Sequence, residues 1–189
     1  MCTPATENTS CAETPLRHGL VTIFTGDGRG KTTAAIGTAL RAAGHGLRVL
    51  IVFFMKGPNF THGEVVALKT VPNITIKCFG ALGWAKPGAD NATHKLQAAE
   101  ALSFVASQMA SGGYDLAVLD EALNAVTYGL LSPDALIQII TAKPANLELI
   151  LTGRGATSEF IEHADLVTEM RNIKHPFEHG IMARAGVDY

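Results

Sequence analysis

The chain has 189 residues, 47% of them hydrophobic, and a formal net charge of −2. That length suffices for one domain with a sizeable core, and the charge lacks the basic excess expected if nucleic acid were the main partner. No run of about eighteen apolar residues occurs, so no membrane span is expected. The N-terminus has no apolar signal core, which makes the cytoplasm the expected compartment. Cys2, Cys11 and Cys78 form neither a CxxC pair nor an even framework. Cys78 sits in an apolar run and reads as a small buried hydrophobe. The seven histidines are scattered without ligand spacing, which argues against a protein-bound zinc.

In chain order, residues 1–17 carry little hydrophobic periodicity and read as a flexible arm, leaving 18–189 as a single α/β domain. Leu20–Phe24 is continuously apolar, as a strand covered on both faces should be. It runs into Gly26-Asp27-Gly28-Arg29-Gly30-Lys31-Thr32-Thr33 and then a helix-forming stretch, Ala34–Ala43, ended by Gly44-His45-Gly46. Strand, glycine-rich turn, Gly-Lys-Thr and helix is the order of a phosphate-binding loop. Glycines let successive N–H groups curl round a phosphate, and the helix N-terminus adds its positive dipole end. Lys31 is placed to reach phosphate oxygens, and Thr32 to put its hydroxyl on Mg²⁺. The strict pattern wants glycine at position 25, which is Thr25; an extra Gly-x-Gly lies inside the loop instead.

A second buried strand is expected over Val49–Phe54, a short helix over Gly63–Lys69 and a third strand over Ile74–Phe79. Gly80-Ala81-Leu82-Gly83-Trp84 follows as a glycine-rich loop holding the single tryptophan. Ala92 to about Ala110 is helical in pattern, stopped by Gly112-Gly113. Leu116–Glu121 is a fourth strand ending in two carboxylates. Ser132-Pro133-Asp134 starts another helix, with Ser132 as N-cap and Pro133 at its first position. Leu147–Leu151 is a fifth strand, followed by Thr152-Gly153-Arg154-Gly155, a short helix at Glu159–His163 and a last strand at Leu166–Thr168. Apolar strands alternating with helices imply a mostly parallel central sheet flanked by helices, with ligands at the carboxyl ends of the strands.

That edge gathers the phosphate loop, Lys56, the Trp84 loop, Asp120-Glu121 and Arg154. A carboxylate at the end of the fourth strand can hold Mg²⁺ opposite Thr32, and spacing leaves open whether Asp120 or Glu121 does so. Arg154, between two glycines, suits a phosphate contact as well as it suits solvent; Arg41 and Lys56 are equally ambiguous. Trp84, flanked by glycines, suits contact with a large flat ligand, the alternative being a place in the core. No nucleophile–base pair stands out, and there is no GxSxG motif.

Taken together, the chain resembles the ATP:corrinoid adenosyltransferases of the P-loop type. The resemblance is carried by TGDGRGKTT (25–33), LRAAGHG (40–46), VLDE (118–121), LTGRG (151–155), DLVTEM (165–170), KHPF (174–177) and the final AGVDY (185–189). It implies a P-loop NTPase fold of RecA-like architecture, with ATP and cobalamin or another corrinoid as substrates. In that family Co(I) attacks the 5′ carbon of ATP and triphosphate leaves, which would explain the missing base. Gly26, Asp27, Gly28, Arg29, Gly30, Lys31, Thr32 and Thr33 would cradle the triphosphate, with Lys31 neutralising it. Thr32 and Glu121 would hold Mg²⁺ (or Mn²⁺), with Asp120 beside them. ATP would lie reversed relative to ordinary P-loop enzymes, and Arg41 and Arg154 would be nucleotide contacts. Trp84 would belong to the corrinoid loop, whose second aromatic position is here Leu82. The family also implies an electron-donating reductase and a homodimer whose N-terminal segment covers the partner's ATP site. The rival expectation is an ATPase switch acting on a protein partner, but the signature lysine of such switches falls at Gly26.

Overall fold

The computed structural model describes residues 18–58, 62–83, 85 and 91–188. The N-terminal arm and Trp84 lie outside the described residues. Among the described residues six strands form one sheet: β1 Val21–Thr25, β2 Val49–Phe53, β3 Ile74–Cys78, β4 Leu116–Asp120, β5 Glu148–Thr152 and β6 Leu166–Glu169. Their spatial order is β3-β2-β4-β5-β1-β6, and every pairing is parallel. The helices are α1 Lys31–Gly44, α2 Gly63–Leu68, α3 Ala92–Ala110, α4 Ala122–Thr127, α5 Pro133–Thr141 and α6 Ser158–Glu162, with a 3₁₀ turn at Pro176–His179.

Parallel pairing demands crossovers, and the crossovers bury both faces of the central strands. Val49, Ile51, Phe53, Leu116, Val118 and Ile150 point to one face, where they meet Ala35, Ala39, Ala42 and Ala43 of α1 and Leu68 of α2. Leu50, Val52, Ala117, Leu119, Leu149 and Leu151 point to the other, against α3, α4 and α5. The alanine stripe on α1 is what its sequence was built for: alanine is the best helix former, and its short side chain lets the helix lie close on the sheet. Ser132 caps α5 as its sequence predicts, its Oγ accepting from the Ala135 N–H at 3.2 Å, with Pro133 at the first turn.

Two expectations need correction. Cys78 is exposed, because β3 is an edge strand paired only with β2; its apolar neighbours reflect strand composition, not two-sided burial. Between β4 and α5 the chain forms α4, which the sequence signals missed; its N-cap, Glu121, makes no side-chain capping bond and has φ +63.

The opposite edge of the sheet is tied by Asp115. Its carboxylate accepts from the Arg48 backbone N–H (2.8 Å), Nε (3.1 Å) and Nη2 (2.9 Å), joining the starts of β2 and β4. The Arg48 hydrogen bonds hold the Asp115 carboxyl below its ordinary value, against the opposing effect of burial. A depressed carboxyl contributes stability that is present above its unfolded pKa and lost as pH falls through the folded one. Asp115→Asn is therefore expected to flatten the acid limb of a stability–pH curve below about pH 4. An unchanged acid limb in urea titrations would rule this out.

Candidate active site

Because all six strands are parallel, their carboxyl ends share one edge, and the loops leaving β1, β2, β4 and β5 meet there. Together with residues 171–188 they enclose a cavity of about 1110 Å³. Asp27–Thr33, Lys56, His62, Glu64, Glu121 and Arg154 line one side.

The phosphate loop starts directly after Thr25. Gly26 (φ +97) and Gly30 (φ +114) sit where L side chains are strained. A Cβ on Gly26 would meet the Met170 carbonyl oxygen at 2.4 Å, and one on Gly28 would meet the Arg171 carbonyl at 2.7 Å. The extra Gly-x-Gly is thus explained by packing: the loop rests against the chain leaving β6, and the Gly28 N–H donates to the Met170 carbonyl at 2.6 Å. Helix α1 begins at Lys31 with no side chain capping its N-terminus, so the first-turn N–H groups face the cavity as an anion site. Lys31 Nζ donates to the carbonyls of Gly26 (2.7 Å) and Gly28 (2.8 Å), which holds the ammonium inside the loop. Burial and the Arg154 charge pull its pKa down, partly offset by Glu121, Asp27 and Asp120.

The two acids at the end of β4 have separate fates. Asp120 is fully buried; its Oδ1 accepts from Thr152 Oγ1 at 2.7 Å, and its Oδ2 lies 3.3 Å from Lys56 Nζ. That second oxygen has no hydrogen-bond partner among the described residues, so its contact with Lys56 is ionic. Glu121 leaves the strand in the left-handed conformation, held by its N–H to Thr152 Oγ1 (2.9 Å), and its side chain lines the cavity. Burial and the neighbouring Asp120 charge push the Glu121 carboxyl up, while Lys56, Lys31 and Arg154 pull it down. A cation entering beside Glu121 would relieve that unfavourable charge. With Thr32 also on the cavity lining, the available donors are hard oxygens in a site open to substrate phosphates, which fits Mg²⁺.

Lys56 is the ion partner of both Asp120 and Glu64, 3.0 Å from Glu64 Oε1, and lies 4.2 Å from the centre of the Phe53 ring. Sequence reasoning flagged Lys56 but not this role, which depends on α2 bringing Glu64 alongside. It also missed Asn124, on the unforeseen α4. The Asn124 Oδ1 accepts from the Arg154 N–H at 2.5 Å and its Nδ2 donates to Glu121 Oε2. Arg154 itself is exposed, with Asp27 at 3.8 Å across the mouth.

The remaining wall comes from the C-terminal stretch, including the exposed apolar side chains Ile173, Phe177, Ile181, Met182 and Val187. Arg29 fastens this stretch to the phosphate loop through Asp188 at 3.0 Å and by donating to the Val187 carbonyl. Four other sequence-predicted residues are not on the cavity wall; the first, Gly26, lies against Met170. Arg41 lies in the last turn of α1, about 15 Å along the helix from Lys31 at 1.5 Å per residue. Leu82 is exposed on the loop after β3, whose Gly80 packs against Lys56 and Gly57. Asp120 lies behind Glu121, in the sheet.

A family model described as ATP:corrinoid adenosyltransferase BtuR/CobO/CobP matches residues 17–189. The corrinoid adenosyltransferase of Escherichia coli (strain K12) is 35% identical over 172 residues, covering 91% of this chain and 86% of the relative. The corrinoid adenosyltransferase CobA of Salmonella typhimurium (strain LT2) is 34% identical over 178 residues, covering 94% of this chain and 89% of the relative. Among solved structures, a KaiC-like protein from Pyrococcus horikoshii OT3 superposes with a TM-score of 0.54 at 16% identity, covering 80% of this chain and 73% of that one. The cytoplasmic domain of EssC gives 0.51 at 17% identity, covering 92% of this chain and 35% of that one. At such identities these two structures speak for the P-loop NTPase fold alone.

Proposed function

The chain belongs to the ATP:corrinoid adenosyltransferase family, and from that premise we propose how its residues divide the work. The enzyme transfers the adenosyl group of ATP to a corrinoid. The observation that carries the assignment of residues is the convergence of the phosphate loop, Glu121 and Arg154 on one cavity whose far wall mixes apolar and charged side chains. At about 1110 Å³ that cavity slightly exceeds the roughly 300–1,000 Å³ of most small-molecule sites, ample for a nucleoside triphosphate.

Co(I) of the reduced corrinoid is the nucleophile; it forms a cobalt–carbon bond to the 5′ carbon of ATP as the carbon–oxygen bond breaks, and triphosphate departs with the electron pair. The nucleophile has no proton to lose, so the protein needs no general base. Its tasks are to align the reactants and to stabilise charge growing on the leaving group. Gly26–Thr33 cradle the triphosphate through backbone N–H groups other than that of Gly28, which the Met170 carbonyl takes; Lys31 neutralises it, and Arg154 closes the mouth from the β5 side. Thr32 and Glu121 would hold Mg²⁺, whose charge lowers the cost of triphosphate departure; Asp120 acts from behind, through Thr152 and Lys56. The reversed placing of ATP and the corrinoid loop at Leu82 and Trp84 belong to the same reading, supported by the family resemblance. So do a homodimer, an electron-donating reductase and a role for Arg41 in nucleotide binding. We read 18–189 as one domain, because the sheet and the C-terminal wall together build the site. Among the described residues no helix is long and apolar enough to cross a membrane.

The deciding experiment is anaerobic incubation with Mg-ATP and chemically reduced corrinoid. The expected products are a light-sensitive cobalt–carbon species and intact triphosphate in equal amounts. Release of inorganic phosphate without adenosylation would instead favour an ATPase switch.

A further inference from the structure

We propose that Asn124 is a positioning residue that joins the metal side of the site to its arginine side; the inference rests on the roles given above to Glu121 and Arg154. Its amide makes two different bonds, and they fix its orientation. The Arg154 backbone N–H can only donate, so the atom 2.5 Å from it is the acceptor oxygen. The amide nitrogen is then left facing Glu121 Oε2, to which it donates. One rigid planar group thus spans the end of β4 and the loop after β5.

The surroundings leave this arrangement little freedom. Gly153, with φ +139, comes so close that a Cβ there would lie 2.7 Å from the Asn124 backbone nitrogen. On the next turn of α4, Thr127 Oγ1 shares its proton between the Leu123 carbonyl (3.0 Å) and the Arg154 carbonyl (3.2 Å), and a Cβ on Gly155 would meet the Thr127 hydroxyl oxygen at 2.8 Å. Short α4 therefore grips the Arg154 loop at two points, and Asn124 alone among these contacts also touches Glu121. A donor on one oxygen of Glu121 leaves the other oxygen turned to its ligand, which is how a carboxylate is oriented in a metal site. Shifting the carboxylate shifts the Arg154 loop with it, so divalent-cation binding and triphosphate binding are mechanically coupled.

Asn124→Leu removes both bonds while keeping the branched shape and the number of heavy atoms; Asn124→Ala serves the same purpose should the bulkier leucine variant fail to refold. Two affinities are measured: ATP binding in EDTA by calorimetry, and Mn²⁺ binding to the ATP complex by electron paramagnetic resonance. Each is expected to weaken about tenfold, as loss of a hydrogen bond to or beside a charged group implies. The cycles with Arg154→Ala and Glu121→Ala carry the decision. Once Asn124 is gone, Arg154→Ala should cost metal-free ATP affinity much less than in the wild type, and Glu121→Ala should cost Mn²⁺ affinity much less. Losses that multiply independently in both cycles would overturn the coupling. If Glu121→Ala alone leaves Mn²⁺ affinity unchanged, the metal role of Glu121 is wrong and the coupling falls with it. If Glu121→Ala weakens Mn²⁺ but Asn124→Leu does not, only the role of Asn124 is wrong.

Discussion

Lys31→Ala is expected to lower kcat/KM for adenosyl transfer by at least about 10²–10³-fold, the scale on which one charge-stabilising donor acts in a transition state. The ammonium is held in place before substrate arrives, donating to the Gly26 and Gly28 carbonyls, so little reorganisation is needed to meet the triphosphate. Burial and the Arg154 charge disfavour its protonated form in the free site, and an arriving polyanion reverses that. Alanine removes the charge and also the strut across the loop. Lys31→Arg is expected not to rescue, because a planar guanidinium cannot sit between two carbonyls as a compact ammonium does. Calorimetry would show ATP binding largely lost in both variants while far-ultraviolet circular dichroism stays unchanged. ATP affinity within threefold of wild type in Lys31→Ala would remove the lysine from the site.

How much of this could be read in the chain depended on whether the signal was local. The phosphate loop, the Ser132-Pro133 helix start and the apolar strands announce themselves within a few residues, and the structure has them within a residue or two. The odd glycine spacing was visible, but its cause, contact with Met170 and Arg171 where the chain leaves β6, far along the sequence, was not. The choice between Asp120 and Glu121 was equally out of reach. Both faces of β4 are covered, so no alternation marks which acid turns inward; Thr152 and Lys56 decide it from other elements. Cys78 misled for the mirror reason: a strand's place at the sheet edge is a property of the whole fold. Residues 171–188 show little regular structure and make sense only where Arg29 pins them over the loop.

The Lys56 cluster carries the largest stability prediction. Its side chain is 11% exposed and its ammonium faces Asp120, which is fully buried, so removing it strands a carboxylate in the sheet. Breaking one side of such a pair costs about 3–5 kcal/mol, which should lower the unfolding midpoint of Lys56→Met by roughly 10 °C in a chain of this size. Replacing both charges removes the stranded anion, so Lys56→Met/Asp120→Asn should be more stable than Lys56→Met alone. The pH dependence adds an independent check. Burial alone would depress the Lys56 pKa, but Asp120 and Glu64 outweigh it and hold it above the ordinary 10.5. A raised lysine contributes stability that is fully present below the unfolded value and lost as pH climbs through the folded one. The wild type should therefore lose this contribution only above pH 10.5, and Lys56→Met should lack that alkaline step. A Lys56→Met midpoint equal to wild type, or a double variant less stable than the single, would show that Asp120 is held by Thr152 alone.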